Sequence, residues 1–134
     1  MLWLSQGAQA ATDVAEEVAA FIRHAERSLD LALYDCRLSP PQGEIFAAAL
    51  RERADAGVSI RIAYDADKPE EPPWERGPDP APGGTGAFVQ SLGYPWRRIG
   101  GRKLMHHKYI VRDADLPTSA VWTGSLNLTD DAFT

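Results

Sequence analysis

Two stretches, Ser28-Leu-Asp-Leu-Ala-Leu-Tyr34-Asp35 and Gly57-Val-Ser-Ile-Arg-Ile-Ala-Tyr64-Asp65, decide the fold together with what lies between them. Successive side chains of a strand point to opposite faces, and Leu29, Leu31 and Leu33 alternate with Ser28, Asp30 and Ala32, which predicts a strand over 28–34. Val58, Ile60, Ile62 and Tyr64 repeat that period and predict a second strand over 58–64. Between them Pro40-Pro41 and Gly43 break the chain. Residues 44–56 are then rich in Ala, Leu and Arg, with Ile45, Ala49 and Leu50 on one face, and Gly57 supplies the left-handed residue that ends a helix. A strand, a helix and a strand in that order favour parallel strands covered by helices.

Outward from this unit, Asp13 and Glu16 have the spacing of a capping residue and its reciprocal acid. Val14, Val18, Phe21, Ile22 and Ala25 follow at helical intervals, predicting an amphipathic helix over 13–26 with His24 at the surface. Leu2-Trp3-Leu4 reads as a short first strand. Downstream, six of the ten prolines fall within 66–86, which reads as a long Pro/Gly-rich surface loop. One helical turn is expected over 87–92, a strand over 105–112 centred on Tyr109-Ile110-Val111, and another over 119–123 in which Trp122 belongs to the core. The expectation is a single domain over 1–134, of α/β class, with a mixed or largely parallel sheet covered by helices and no internal repeat.

The 134 residues are 44% hydrophobic and 25% charged, the composition of an ordinary folded domain. A lone cysteine, Cys36, excludes an internal disulfide framework and a cysteine-rich zinc site. No apolar run approaches the roughly 18 residues of a membrane span. The amino terminus lacks a basic segment ahead of an apolar one, so a cytoplasmic protein is expected. The net charge of −5 hides a gradient: residues 80–112 hold Arg97, Arg98, Arg102, Lys103, Lys108 and Arg112 and no carboxylate, whereas both flanking regions are acidic. An anionic substrate would be met there, unless the stretch is only a solvated basic face.

The chemistry is concentrated in Met105-His106-His107-Lys108-Tyr109-Ile110-Val111-Arg112-Asp113 and in Gly124-Ser125-Leu126-Asn127. On a strand His106 and Lys108 share one face and His107 takes the other. An imidazole beside an ammonium suits phosphoryl chemistry, since a neutral imidazole nitrogen attacks phosphorus while the cation offsets charge on the non-bridging oxygens. Ser125 and Asn127 also share a face and offer hydrogen bonds to a phosphate. His106 and His107 are adjacent, which is poor spacing for two ligands on one metal.

His106-x-Lys108-x(4)-Asp113 followed by Gly124-Ser125-x-Asn127 resembles the paired motifs of the phospholipase D superfamily, and the two strands quoted first look like the second and third strands of that family's repeat. The resemblance implies a phospholipase D-like fold and a phosphodiesterase that needs no metal or cofactor. His106 would be the nucleophile of a phosphohistidine intermediate, or its acid/base counterpart. By the same resemblance Lys108, Ser125 and Asn127 would hold the phosphate, and Asp113, counted with His106 and Lys108 among the catalytic residues, would support the site structurally.

The family assembles one site from two such motifs, one histidine attacking while the other protonates the leaving oxygen. A second motif-bearing domain is therefore an expected partner. It would come from a missing carboxy-terminal half, the chain reading as incomplete after Asn127, or from a homodimer. Phospholipid is the favoured substrate on the acidic net charge, with hydrolysis or phosphatidyl transfer as the reaction. A nuclease of the same superfamily and a non-catalytic half-site are the alternatives. Trp74 and Trp96, beside the loop and the basic stretch, are the candidates for a substrate rim.

Overall fold

The computed structural model describes residues 10–65, 84–99 and 105–133. The expected first strand at Leu2–Leu4, Trp74, and the 66–83 part of the expected loop lie outside them. Helix α1 spans Ala11–Arg23, strand β1 Ser28–Leu33, β2 Cys36–Arg37, helix α2 Gln42–Asp55, β3 Ser59–Asp65, helix α3 Thr85–Ser91, β4 Trp96–Ile99, β5 Lys108–Arg112, β6 Ala120–Thr123 and β7 Leu128–Thr129, followed by a 3₁₀ turn at Asp131–Phe133.

Five strands form one mixed sheet in the order β4-β3-β1-β5-β6, and β2 pairs with β7 apart from it. Strands β3 and β4 run parallel to β1's direction, with Leu33 beside Tyr64 and Ile62 beside Trp96. Strand β5 runs antiparallel to β1, Leu33 facing Lys108, and β6 antiparallel to β5, Tyr109 facing Thr123. This is the expected α/β class with a mixed sheet.

The period of two puts Leu29, Leu31, Leu33, Ile60, Ile62, Tyr64 and Ile110 on one face. There they form a single buried cluster with Val14, Val18 and Ile22 of α1 and Phe46 and Leu50 of α2. Each such side chain contributes roughly 1.5–3 kcal/mol by leaving water. Arg23 of α1 donates to Glu52 of α2 at 2.8 Å across the helix pair. The opposite face carries Asp30, Ala32, Arg61, Ala63, Arg97 and Tyr109, which line an open groove of about 470 Å³.

Several boundaries differ from expectation. Helix α1 begins at Ala11 with Ala10 as its uncapped entry residue, so Asp13 stands in the first turn, where the partial positive charge of the helix end favours a carboxylate, rather than at the cap. It stops at Arg23 because the backbone N–H groups of Glu26, Arg27 and Ser28 are taken by the Asp113 carboxylate and are lost to a helical ladder. Helix α2 runs two residues earlier than expected at its start and ends before Gly57, whose φ of +91° is the left-handed turn anticipated there. The expected loop ends too late, since Thr85 and Gly86 already belong to α3. The edge strand β4 falls where only a basic stretch had been read. Strand β5 starts at Lys108, three residues later than expected. Trp122 packs against the core as expected, though only half-buried, edge-on to Phe21 with ring centres 5.9 Å apart.

Candidate active site

Strands β1 and β3 end at the same edge of the sheet. Because β5 is antiparallel to β1 it begins at that edge, and because β6 is antiparallel to β5 it ends there. The segment before β5 and the segment after β6 are thus delivered to the carboxyl ends of the parallel strands, where open α/β sheets place their ligand sites. Lys108 opens β5, and His106 precedes it in extended chain. Two bonds hold that approach: Tyr34 N–H donates to the His107 carbonyl at 2.8 Å, and Met105 N–H donates to the buried Asp65 carboxylate at 3.0 Å.

His106 and Lys108 meet. Lys108 Nζ lies 3.0 Å from His106 Nε2 and donates to the His106 carbonyl at 3.1 Å. An ammonium has only donors, so Lys108 can use this contact as a hydrogen bond only with Nε2 as the acceptor. The Tyr34 ring stands 4.6 Å from the His106 ring at 63°, and Lys108 Nζ lies 5.2 Å from the Tyr34 ring centre. Burial holds the Lys108 ammonium below the usual lysine range, and the carboxylate of Asp35 partly offsets this.

Asp35 is itself buried and well held. Arg37 Nε donates to it at 2.9 Å and Thr85 Oγ1 at 3.0 Å, while the same Thr85 oxygen accepts Cys36 N–H at 3.2 Å. The Asp35 carbonyl takes Leu128 N–H at 3.1 Å, which ties the chain immediately after Asn127 to the residue after Tyr34.

Ser125 is exposed. Asn127 is half-buried, and its Oδ1 is shielded from solvent without a hydrogen-bond partner among the described residues. Both lie on the segment that leaves β6 at the site edge, but neither hydrogen-bonds to His106 or Lys108. His107 is turned edge-on to Tyr109, ring centres 5.7 Å apart, away from the Lys108 side.

Asp113 sits at the other end of β5, remote from His106, buried and with a φ of +53°. Burial raises its carboxyl, but N–H groups of Arg27, Glu26 and Ser28 and the nearby Arg112 charge outweigh that and hold it below the usual aspartate range. Its place is therefore the turn between α1 and β1 and not the reacting edge. Among the described residues no group of three or more His, Cys, Asp or Glu could hold a metal ion. No described helix is long and apolar enough to cross a membrane.

Sequence reasoning passed over Tyr34, Asp35 and Thr85 as parts of this edge. The first two were signalled by the Tyr-Asp pair that follows β1 and recurs at the end of β3. Thr85 carried no signal, because it lies 50 residues from the carboxylate it binds.

The mixed sheet brings an imidazole, an ammonium and a Gly-Ser-x-Asn segment toward one edge of an α/β domain. The chain belongs to the phospholipase D-like family described as "Cardiolipin synthase, PLD-like domain", which matches residues 18–134. At the level of that superfamily it is a phosphodiesterase domain. Among solved structures it is similar to NucT from Helicobacter pylori, with 19% identity and a TM-score of 0.57 over 92% of this chain and 72% of that one. No curated protein sequence matches it.

Proposed function

We propose that this chain supplies one half of a phosphodiesterase site of the phospholipase D type, with His106 as nucleophile and Lys108, Ser125 and Asn127 as the phosphate cradle. The observation that carries it is the 3.0 Å approach of Lys108 Nζ to His106 Nε2 at the carboxyl edge of the sheet. Substrate phosphate draws Lys108 onto a non-bridging oxygen, which frees the Nε2 lone pair. Nε2 then bonds to phosphorus as the bond to the leaving oxygen breaks, and that oxygen takes its proton from the imidazolium of a second motif. Water, or an acceptor alcohol, next attacks the phosphohistidine and gives its proton back to the second imidazole. One ring cannot do both tasks in one step, because the nitrogen that forms the bond to phosphorus is the nitrogen that would carry the proton. The second motif comes from another motif-bearing domain or from a second copy of this chain.

Phospholipid is the favoured substrate, given the net charge of −5. Nucleic acid is the second reading, favoured by the exposed Arg97 and Arg98 on the edge strand β4 and by the fold shared with the nuclease NucT. Turnover of bis(p-nitrophenyl) phosphate, measured alongside sedimentation, tests the half-site. Activity that rises with the dimer fraction, or on adding a second motif-bearing domain, and that is lost in His106→Ala and Lys108→Met is the expected result. Strong turnover by a proven monomer refutes the half-site, and turnover unchanged in His106→Ala refutes the nucleophile. Release of headgroup from phosphatidylglycerol vesicles against cleavage of a single-stranded oligonucleotide separates the two substrates.

A further inference from the structure

Resting on that reading, we propose that Tyr34 is the positioning residue of the site, its ring fixing His106 and Lys108 relative to each other. His106 is exposed and precedes the β5 ladder, so the sheet itself does not orient its side chain. Lys108 ends a stem of four rotatable bonds, whose ordering is entropically unfavourable. Something must restrict both groups if a nitrogen is to meet phosphorus within a few tenths of an ångström of the productive line.

Tyr34 touches all the relevant parts. Its backbone N–H holds the His107 carbonyl at 2.8 Å, which fixes the chain midway between the two functional side chains. Its ring meets the His106 imidazole at 4.6 Å and 63°, the edge-to-face arrangement that aromatic quadrupoles favour. Lys108 Nζ lies within the range over which a ring quadrupole attracts an ammonium, 5.2 Å from the ring centre. Asp35, the next residue, adds a carboxylate whose geometry is fixed by Arg37 and Thr85. The Tyr34 hydroxyl makes no hydrogen bond within the described residues, so the ring and not the hydroxyl is what the site uses.

Tyr34→Phe keeps that ring and Tyr34→Leu removes it at similar bulk. Two readouts on the whole chain decide the matter. The first is the ring-current displacement of the His106 imidazole C–H and Lys108 ε-methylene resonances, which needs no turnover. The second is kcat and KM for bis(p-nitrophenyl) phosphate. Tyr34→Phe should leave both near wild type. Tyr34→Leu should abolish the displacement and lower kcat about three- to thirtyfold, with KM changed less and the melting transition kept. Tyr34→Met takes its place if the leucine variant does not fold. Resonances unmoved in the ring-less variant, or kcat unchanged in it, overturn the proposal. If wild type and His106→Ala are equally inactive even when a second motif-bearing domain is supplied, the phosphodiesterase reading fails by itself, while the resonance measurement still decides whether Tyr34 positions the pair.

Discussion

Replacing Asp113 with alanine removes the one acceptor for three backbone donors. Its carboxylate takes Glu26 N–H at 3.0 Å, Arg27 N–H at 2.6 Å and Ser28 N–H at 3.0 Å, in a side chain only 1% exposed. Hydrogen bonds to a charged partner contribute about 1.5–3 kcal/mol each, so the three give roughly 4–9 kcal/mol before the opposing cost of burying the carboxylate. A net loss of about 3–5 kcal/mol is expected for Asp113→Ala, a large share of the ~5–15 kcal/mol that stabilises a whole domain. Asp113→Gly should be about 1 kcal/mol less harmful than the alanine variant, because φ is +53° and glycine adopts that conformation without strain. Asp113→Asn, which keeps an acceptor oxygen but no charge, should lose about 1–2 kcal/mol. Urea unfolding at neutral pH measures all three. The pH dependence has a definite sign. The folded state holds this carboxyl below its unfolded value of about 3.9, so its stabilisation is complete above that pH and is lost as pH falls through the lower folded value. Asp113→Asn should lack that component of the acid slope. A loss below about 1 kcal/mol for Asp113→Ala, or an unchanged acid slope in Asp113→Asn, would refute the clamp.

Gly43→Ala should lower the melting temperature by several degrees, since its new Cβ would stand 2.6 Å from the Leu38 carbonyl oxygen and overpacking of this kind costs about 1–3 kcal/mol. Cys36 is fully buried, and desolvation followed by the neighbouring Asp35 charge pushes its thiol well up. It should therefore react with Ellman's reagent only after unfolding, and prompt labelling of the native chain would contradict its burial. Asp35→Asn should move the Lys108 ammonium still further below the usual lysine range, read from the ¹³Cε titration of Lys108, because it removes the one charge found to oppose the effect of burial.

What could be read from the chain without coordinates follows from how local each signal is. The alternation in 28–34 and 58–64 and the helical faces of 13–26 and 44–56 are short-range patterns, and each names an element that exists within two or three residues. Strand β4 was missed because Trp96-Arg-Arg-Ile99 is exposed along its whole length, and an edge strand with no buried face leaves no alternation to detect. The early stop of α1 was illegible for the opposite reason, being set by a carboxylate 87 residues away. At the site, His106 and Lys108 could be placed together from strand spacing alone, and they do meet. The contribution of Tyr34 depends on β1 and β5 being neighbours, a long-range pairing that no window of sequence encodes.

The antiparallel entry of β5 also bears on when the site forms during folding. The hairpin of β5 and β6 is local: Thr123 and Lys108, bonded at its open end, are 15 residues apart. Seating that hairpin against β1 closes a loop of 87 residues between Glu26 and Asp113. Closure entropy grows with the logarithm of loop length, amounting to roughly 2.4 kcal/mol for the short loop and roughly 4 kcal/mol for the long one. The helix pair, β1 and β3 therefore have a kinetic advantage over the docking of the hairpin. The contact between Tyr34 and His106 can arise only at that last docking. A chain with native helices and an assembled parallel sheet would still lack the Tyr34–His106 contact until Asp113 locks one end of β5 and the His107 carbonyl the other.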